Sequence, residues 1–476
     1  MADYSDRTAG LKDRLQIPHT AYAERWPDQR IHDFDEIVLG YDAQTAQREA
    51  SRCLQCPAPS ACVQACPLHN DIPLALWLIS LGDFTGAAEV YRRTSPFPEI
   101  CGRVCPQERL CEGACVLGRR DEAPSLGKLE MFVADYARLL EGWPVPERAP
   151  LTGREVAVVG SGPSGLAVAE SLARRGHHVT VYEAAPHPGG LLLYGIPNFK
   201  LPKDLILGKI DALRRMGVSF VCNTRIGHTL TVDDLFLSGF DAVFLGIGAN
   251  VDAPLKAPGV ELDGVYPAGE FLVRANVPTG LLRSEQGASV VTGRRVAVIG
   301  GGDTATDCLR TALRLGAETV TCYYRRTEAE MPGSRREREH ALEEGAAVEY
   351  LTAPTRFIGD EQGRLVAMEV QRMTLGAPDA SGRRRPVPEP GSEFVVPVDI
   401  VVLALGYWPD ETVPKSTPGL DTHDYGLINA VTNTGETSRA GVFAGGDVVT
   451  GPDLVTTAVA AGFRAAEAID AYLATL

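Results

Sequence analysis

One pattern occurs twice in this chain, and nothing else in the sequence restricts the fold as much. The first copy runs from Glu155 to Glu183. An apolar run, Val156 to Val159, leads into a loop with Gly160, Gly162 and Gly165. A helical pattern follows to about Arg175, then a second strand, Val179 to Tyr182, that ends at Glu183. This strand–loop–helix–strand order suits the ADP half of a dinucleotide. Gly160 permits the tight turn, Gly162 lets backbone approach a pyrophosphate, and Gly165 lets the helix pack on the strand. The helix N-terminus offers unpaired N–H groups to phosphate. Glu183 stands where a carboxylate accepts hydrogen bonds from a ribose diol.

The second copy is Arg294 to Arg326. Gly300, Gly302 and Gly316 repeat Gly160, Gly162 and Gly176 at a spacing of 140 residues. Ala305 stands in place of Gly165, a change the motif tolerates. Gly301, Asp303 and Thr304 complete this loop. The copies differ at the end of the second strand, where Tyr182-Glu183 is matched by Tyr324-Arg325-Arg326. Guanidinium groups there favour a 2′-phosphate, so the second copy is expected to take NADPH; a solvated surface pair is the bland alternative. The charged run REREHALEEG reads as a helix. Residues 355 to 398 read as antiparallel strands with a Pro/Gly/Arg-rich loop near Gly382 to Gly391.

Eight of the eleven cysteines lie between Cys53 and Cys115. They form two groups, Cys53, Cys56, Cys62, Cys66 and Cys101, Cys105, Cys111, Cys115, with gaps x2-x5-x3 and x3-x5-x3. Such a cluster in a cytoplasmic chain means metal or redox chemistry, not disulfides. Two four-iron clusters fit eight thiolates. Two zinc sites are the alternative, although zinc usually takes two close pairs per ion. The other cysteines, Cys222, Cys308 and Cys322, read as small buried residues. A helix is expected over Ile72 to Thr94 and another over Lys128 to Leu140. Residues 1 to about 50 look helical and polar. The proline-rich stretch 141–153 reads as a linker, placing a boundary near Pro150.

A length of 476 residues calls for several domains. The net charge of −15 argues against nucleic acid and anionic membrane as partners. No apolar run reaches the ~20 residues of a membrane helix, and the start MADYSDRTAGLKDR carries no secretory h-region. A cytoplasmic location is expected. Near the C-terminus, Gly445-Gly446-Asp447 follows an apolar strand and precedes a helix from about Leu454. An aspartate there can hold a hydroxylated chain, and the helix N-terminus favours negative charge.

Two dinucleotide units closed by this Gly-Gly-Asp motif resemble the two-dinucleotide-binding-domain flavoproteins. The segments CPLHNDIP and CGRVCPQERLCEGAC resemble a narrower group, the small (beta) subunits of bacterial NADPH-dependent glutamate synthase. The same module is similar to part of dihydropyrimidine dehydrogenase. The resemblance implies an α/β fold: a helical N-terminal iron–sulfur domain, then two Rossmann-like domains with the NADPH domain inserted in the FAD domain. The corresponding segments are 1–150, then 151–290 with 400–476 for FAD, and 291–399 for NADPH. FAD contacts would come from Gly160, Ser161, Gly162, Pro163, Ser164, Gly165, Glu183, Gly190, Leu191, Gly446, Asp447, Thr456 and Thr457. One [4Fe-4S] cluster would use Cys53, Cys56, Cys62 and Cys115. The other would use Cys66, Cys105, Cys111 and Glu130, leaving Cys101 a bystander. No side chain is needed as acid or base for hydride transfer between cofactors. The partner implied is the glutamate synthase large (alpha) subunit in a hetero-oligomer, or another redox acceptor protein. A standalone NADPH:ferredoxin oxidoreductase, a pyrimidine-reductase input subunit and a non-enzymatic redox sensor fit the same motifs. A thioredoxin-reductase-like activity does not, because the second unit has no C-x2-C.

Overall fold

The structure is a computed structural model that describes residues 10–276, 291–379 and 382–476. The start of the chain and the end of the expected segment 151–290 lie outside the described residues.

The N-terminal region is helical around its cysteines. Its helices are Ala43–Ala50, Ala61–Ala65, Ile72–Leu81, Phe84–Arg92, Pro98–Val104 and Leu126–Glu141. Asp42 and Thr45 form a capping box that starts the first of these. The single helix expected over 72–94 is two. Gly82 ends the first in the left-handed region (φ +84), and Asp83 caps the second. Leu76, Ile79, Tyr91, Leu129 and Val133 pack as this region's core. Residues 10–50 are less helical than expected. Before Ala43 they hold two four-residue helices and the antiparallel pair Ala23–Glu24 with Val38–Gly40. Polar composition there reflects docking, not helicity. Arg30 is buried and binds Glu343 and Glu344 of the second dinucleotide unit at 2.8 and 2.7 Å. The linker is also tied down, since Arg148 donates to the carbonyls of Ala173, His177 and Met216.

Each glycine unit builds a five-stranded parallel sheet. The first runs Ser219–Val221, His178–Tyr182, Glu155–Val159, Ala242–Leu245, Val442–Ala444. The second runs Ala347–Tyr350, Thr319–Tyr324, Arg295–Ile299, Ile400–Leu403, Val265–Pro267. Strands Val265–Pro267 and Ile400–Leu403 were assigned by sequence to the FAD segments 151–290 and 400–476, yet both lie in the second sheet. The reason is local. Ile400–Leu403 is fully apolar and must be covered on both faces. Asp399 before it binds the backbone N–H and guanidinium of Arg295, fixing it beside the glycine strand. The first sheet uses the same device, Asp241 binding the N–H of Glu155 and the side chain of Arg154. The chain passes between the units through an antiparallel ribbon, Val251–Asp252 with Tyr407–Trp408.

One face of the second sheet is covered by helices Ala268–Asn276 and Asp303–Arg314. The other carries a four-stranded antiparallel sheet, Thr352–Gly359, Leu365–Pro378, Arg384–Pro388 and Phe394–Pro397. Phe357, Met368 and Val370 from it meet Ala297, Ile299 and Val401. The loop expected near Gly382 to Gly391 therefore contains a strand, Arg384–Pro388, despite its prolines. It pairs only with Leu365–Pro378, at an edge where missing N–H groups cost little.

Candidate functional site

The two glycine loops open into one cavity of about 1120 Å³. Gly160 turns at φ +97, and a Cβ there would lie 2.4 Å from the Gly246 carbonyl oxygen. Gly300 matches it, with 2.2 Å to the Ala404 carbonyl. A Cβ on Gly162 or Gly302 would meet nothing within 4 Å. In each loop the first glycine is demanded by the chain itself, while the middle one faces open cavity. Each middle glycine also starts a twelve-residue helix, Pro163–Arg174 and Asp303–Arg314, without a side-chain cap. The first-turn N–H groups are thereby left for an anion.

Glu183 is buried at the end of the second strand and lines the cavity. Its carboxylate accepts from the backbone N–H of Ser161 (3.1 Å), the Ser161 hydroxyl, and the N–H of Ala185 (2.7 Å). Three of about four lone-pair positions are taken, so one remains for a ligand hydroxyl. Gly190 packs its backbone against Gly162, and Leu191 lies beside it on the cavity wall. Asp447 lines the same wall, and burial pushes its carboxyl up to about 7.

Several residues expected to touch a nucleotide lie off the cavity wall. Gly165 sits behind the loop, its Cβ position 2.0 Å from the Gly160 carbonyl, so its role is helix–strand packing. Gly446 likewise packs on Ser164. Thr456 is buried toward Cys101, and the Thr457 hydroxyl donates to the Leu454 carbonyl. The cavity wall at that helix start is Leu454, Val455 and Ala458. Helical rotation puts the two threonines off the facing stripe. Arg326 is also misassigned as a free phosphate ligand. It is buried, paired with Asp379 at 2.7 Å and bonded to the Arg384 carbonyl. Arg325 is exposed.

Sequence reasoning missed two lysines in GIPNFKLPK. Lys200 reaches into the cavity and pairs with Asp307 at 2.8 Å, across the two units. Lys203 is buried and donates to the Leu192 and Ile196 carbonyls, and burial pushes its ammonium down to about 7. A basic residue after a double glycine was the available signal.

The N-terminal domain reaches the same cavity through Val104, Cys105 and Gln107. All eleven cysteines are free. Cys53, Cys56, Cys62 and Cys115 line a separate small pocket. Burial pushes the Cys53 thiol up to about 12, with Cys62, Cys115 and Cys56 adding to it. Cys66, Cys101, Cys105, Cys111 and Glu130 form the second group. Burial raises Cys111, and Glu130 and Cys66 raise it further; Cys105 bonds Cys101. Glu130 is buried, raised well above the ordinary carboxylate range by burial and then by Cys101, and accepts a 3.4 Å hydrogen bond from Asn70. Among the described residues no three His, Cys, Asp or Glu side chains converge on a single-ion site. His69 is exposed and bonds the Val63 carbonyl through Nδ1.

Comparison with known proteins fits this arrangement. Residues 154–462 match the pyridine nucleotide-disulphide oxidoreductase family. Residues 30–141 match dihydropyrimidine dehydrogenase domain II, 4Fe-4S cluster. The chain is 44% identical over 453 residues to a protein named as an oxidoreductase, AegA of Escherichia coli, covering 94% of this chain and 68% of that one. It is 43% identical to the glutamate synthase [NADPH] small chain of Halomonas elongata, covering 93% and 94%. Mycobacterium tuberculosis FprA in complex with NADPH shares the fold at 22% identity, with a TM-score of 0.58 over 68% of this chain and 85% of that one. No helix among the described residues is long and apolar enough to cross a membrane. The chain belongs to the pyridine nucleotide-disulphide oxidoreductase family, is an oxidoreductase with an N-terminal 4Fe-4S-type domain, and is similar over nearly its whole length to the glutamate synthase [NADPH] small chains.

Proposed function

We propose that this chain passes electrons from NADPH, through FAD in the first unit, to two [4Fe-4S] clusters and on to a partner protein. The observation that carries the reading is the single cavity touched by both glycine loops and by Cys105. When bound, FAD would accept hydride from NADPH and hand electrons on one at a time. The chain's own residues position. Gly162 and the Pro163–Arg174 N-terminus meet the FAD pyrophosphate, Glu183 its ribose, and Asp447 its hydroxylated chain. Gly302, Asp303 and Thr304 meet the pyrophosphate of NADPH, and Arg325 its 2′-phosphate.

Cluster one takes Cys53, Cys56, Cys62 and Cys115. Cluster two takes Cys66, Cys105, Cys111 and Glu130. Glu130 is preferred to Cys101 because its buried carboxyl keeps lone pairs open beside one long hydrogen bond from Asn70. Cys101 is engaged by Ser95, Cys105 and Thr456. The free thiols favour a reducing, cytoplasmic setting.

The partner we propose is a glutamate synthase large subunit, joined in a hetero-oligomer. A second reading, reduction of a different acceptor protein, draws support from the 44% identity to AegA. Pull-down of the native complex separates them. A co-purified large subunit with glutamine-dependent glutamate formation supports the first; an acceptor without that activity supports the second. Iron near eight per chain with a broad absorption shoulder supports two clusters, whereas zinc without iron removes them.

A further inference from the structure

The loop between Cys105 and Cys111 also touches the second dinucleotide unit. Glu108 accepts a 2.6 Å hydrogen bond from the Ser334 hydroxyl. Arg109 donates to the Pro332 carbonyl at 2.9 Å. Pro332 and Ser334 belong to a strap, residues 331–334, that crosses the second glycine loop. Gly333 donates to the Gly301 carbonyl (3.3 Å), and a Cβ on it would lie 3.0 Å from the Gly302 carbonyl carbon and 3.1 Å from the Asp303 nitrogen. The Ser334 N–H donates to the Asp303 carboxylate at 2.8 Å.

That last bond matters for an anion. Asp303 is the first residue of the helix whose N-terminus faces the phosphates, and a free carboxylate there repels them. The strap's N–H holds this carboxylate. Glu108, on the same cavity wall, is held by Ser334 in turn. We propose that Glu108 and Arg109 of the iron–sulfur domain are positioning residues for NADPH: they fix the strap, and the strap fixes Asp303 and the second glycine loop. This rests on the reading that the second loop takes NADPH. Nucleotide affinity then depends on an element lying between two candidate ligands of cluster two, and the coupling is reciprocal.

The test uses the holoenzyme carrying Glu108→Ala with Arg109→Ala. NADP⁺ affinity is read from perturbation of the flavin spectrum, and NADPH kinetics with ferricyanide as acceptor. Loss of hydrogen bonds to charged groups predicts a roughly tenfold rise in both Kd and KM, with kcat within about twofold. Glu108→Gln with Arg109→Lys keeps an acceptor and a donor and should restore both constants. A Kd within about twofold of the unsubstituted protein overturns the proposal. If the double variant loses flavin, Arg109→Ala alone, at an exposed side chain, decides: a Kd rise of about threefold supports and no rise overturns. Gly302→Asp separates the two readings. If it abolishes NADP⁺ binding while the double variant binds normally, only this proposal fails. If it binds normally too, the second loop is not the NADPH site and both fail.

Discussion

The two dinucleotide units are built alike and finished differently. Both place a glycine strand at the centre of a parallel sheet, and both pin it with an aspartate that opens the next strand, Asp241 or Asp399. Both need glycine at the turn and leave the middle glycine facing cavity. The differences lie where a ligand would end. The first unit closes with a buried carboxylate wired to Ser161, and the second with one exposed and one buried arginine. The shared parts make a dinucleotide fold, and the divergent parts are where a choice of nucleotide can be tested.

The largest effect should come from exchanging the third position of the glycine motif, Gly165 in one copy and Ala305 in the other. A methyl on Gly165 would sit 2.0 Å from the Gly160 carbonyl, a backbone contact that can relax only by moving helix from strand. Gly165→Ala should therefore leave less than about a tenth of the flavin bound, read from absorbance after gel filtration. Ala305 already fills the equivalent place and is buried. Ala305→Gly should cost only about 1 kcal/mol in urea unfolding, with NADPH affinity kept. Full flavin retention in Gly165→Ala would show that the two loops are not distinguished by this contact.

Nucleotide choice should respond to the strand ends. Arg325→Glu should raise the NADPH KM by about ten- to a hundredfold and leave that of NADH unchanged. Arg326→Ala should lower stability and weaken both nucleotides alike, because its guanidinium holds Asp379 and the Arg384 carbonyl. Equal loss for both nucleotides in Arg325→Glu would remove the 2′-phosphate assignment. In the first unit, Glu183→Gln replaces an acceptor oxygen with a donor facing an N–H group. It should weaken FAD about tenfold in a dilution assay, and unchanged retention would make Glu183 a purely structural residue.

These contrasts also show which levels the sequence reveals. Glycine loops and apolar strands are local, so both units could be read directly, whereas cysteine spacing groups Cys66 with Cys53 and leaves Cys115 apart from the pocket it lines with Cys53, Cys56 and Cys62. Arg326 was misread because its partner Asp379 is 53 residues away, just past the end of strand Leu365–Pro378. Thr456 and Thr457 lie off the cavity wall that Leu454, Val455 and Ala458 form, and a helix N-terminus gives no sequence signal for which face that is. The segment bounds 151–290 and 400–476 take in strands Val265–Pro267 and Ile400–Leu403, which pair in the second sheet, because apolar strands carry no address. Their pairing is decided by long-range contacts such as Asp399 with Arg295. Glu130 came from family resemblance. Its burial beside Cys101 and Asn70 is the physical ground that spacing could not supply.

The smallest expected effect tests whether the aspartate pins are equivalent. Asp399 receives both a guanidinium and a backbone N–H, and the hydrogen bonds from Arg295 hold its carboxyl down at about 2. The unfolded value is about 3.9, so the bonded carboxylate stabilises the fold above about pH 4, and the contribution disappears as pH falls toward 2. Arg295 is 38% exposed, so solvent screening limits the pair to about 1 kcal/mol at neutral pH. Asp399→Asn should lower urea stability by that amount at pH 6 and by less at pH 3. Asp241→Asn removes the corresponding pin from the first sheet, where Arg154 contributes one contact at 3.3 Å, so the loss at pH 6 should be smaller. If Asp399→Asn loses nothing at either pH, the ion pair contributes nothing. The second sheet is then held by the backbone hydrogen bond alone, as an asparagine could hold it, and the two units are pinned by the same single contact.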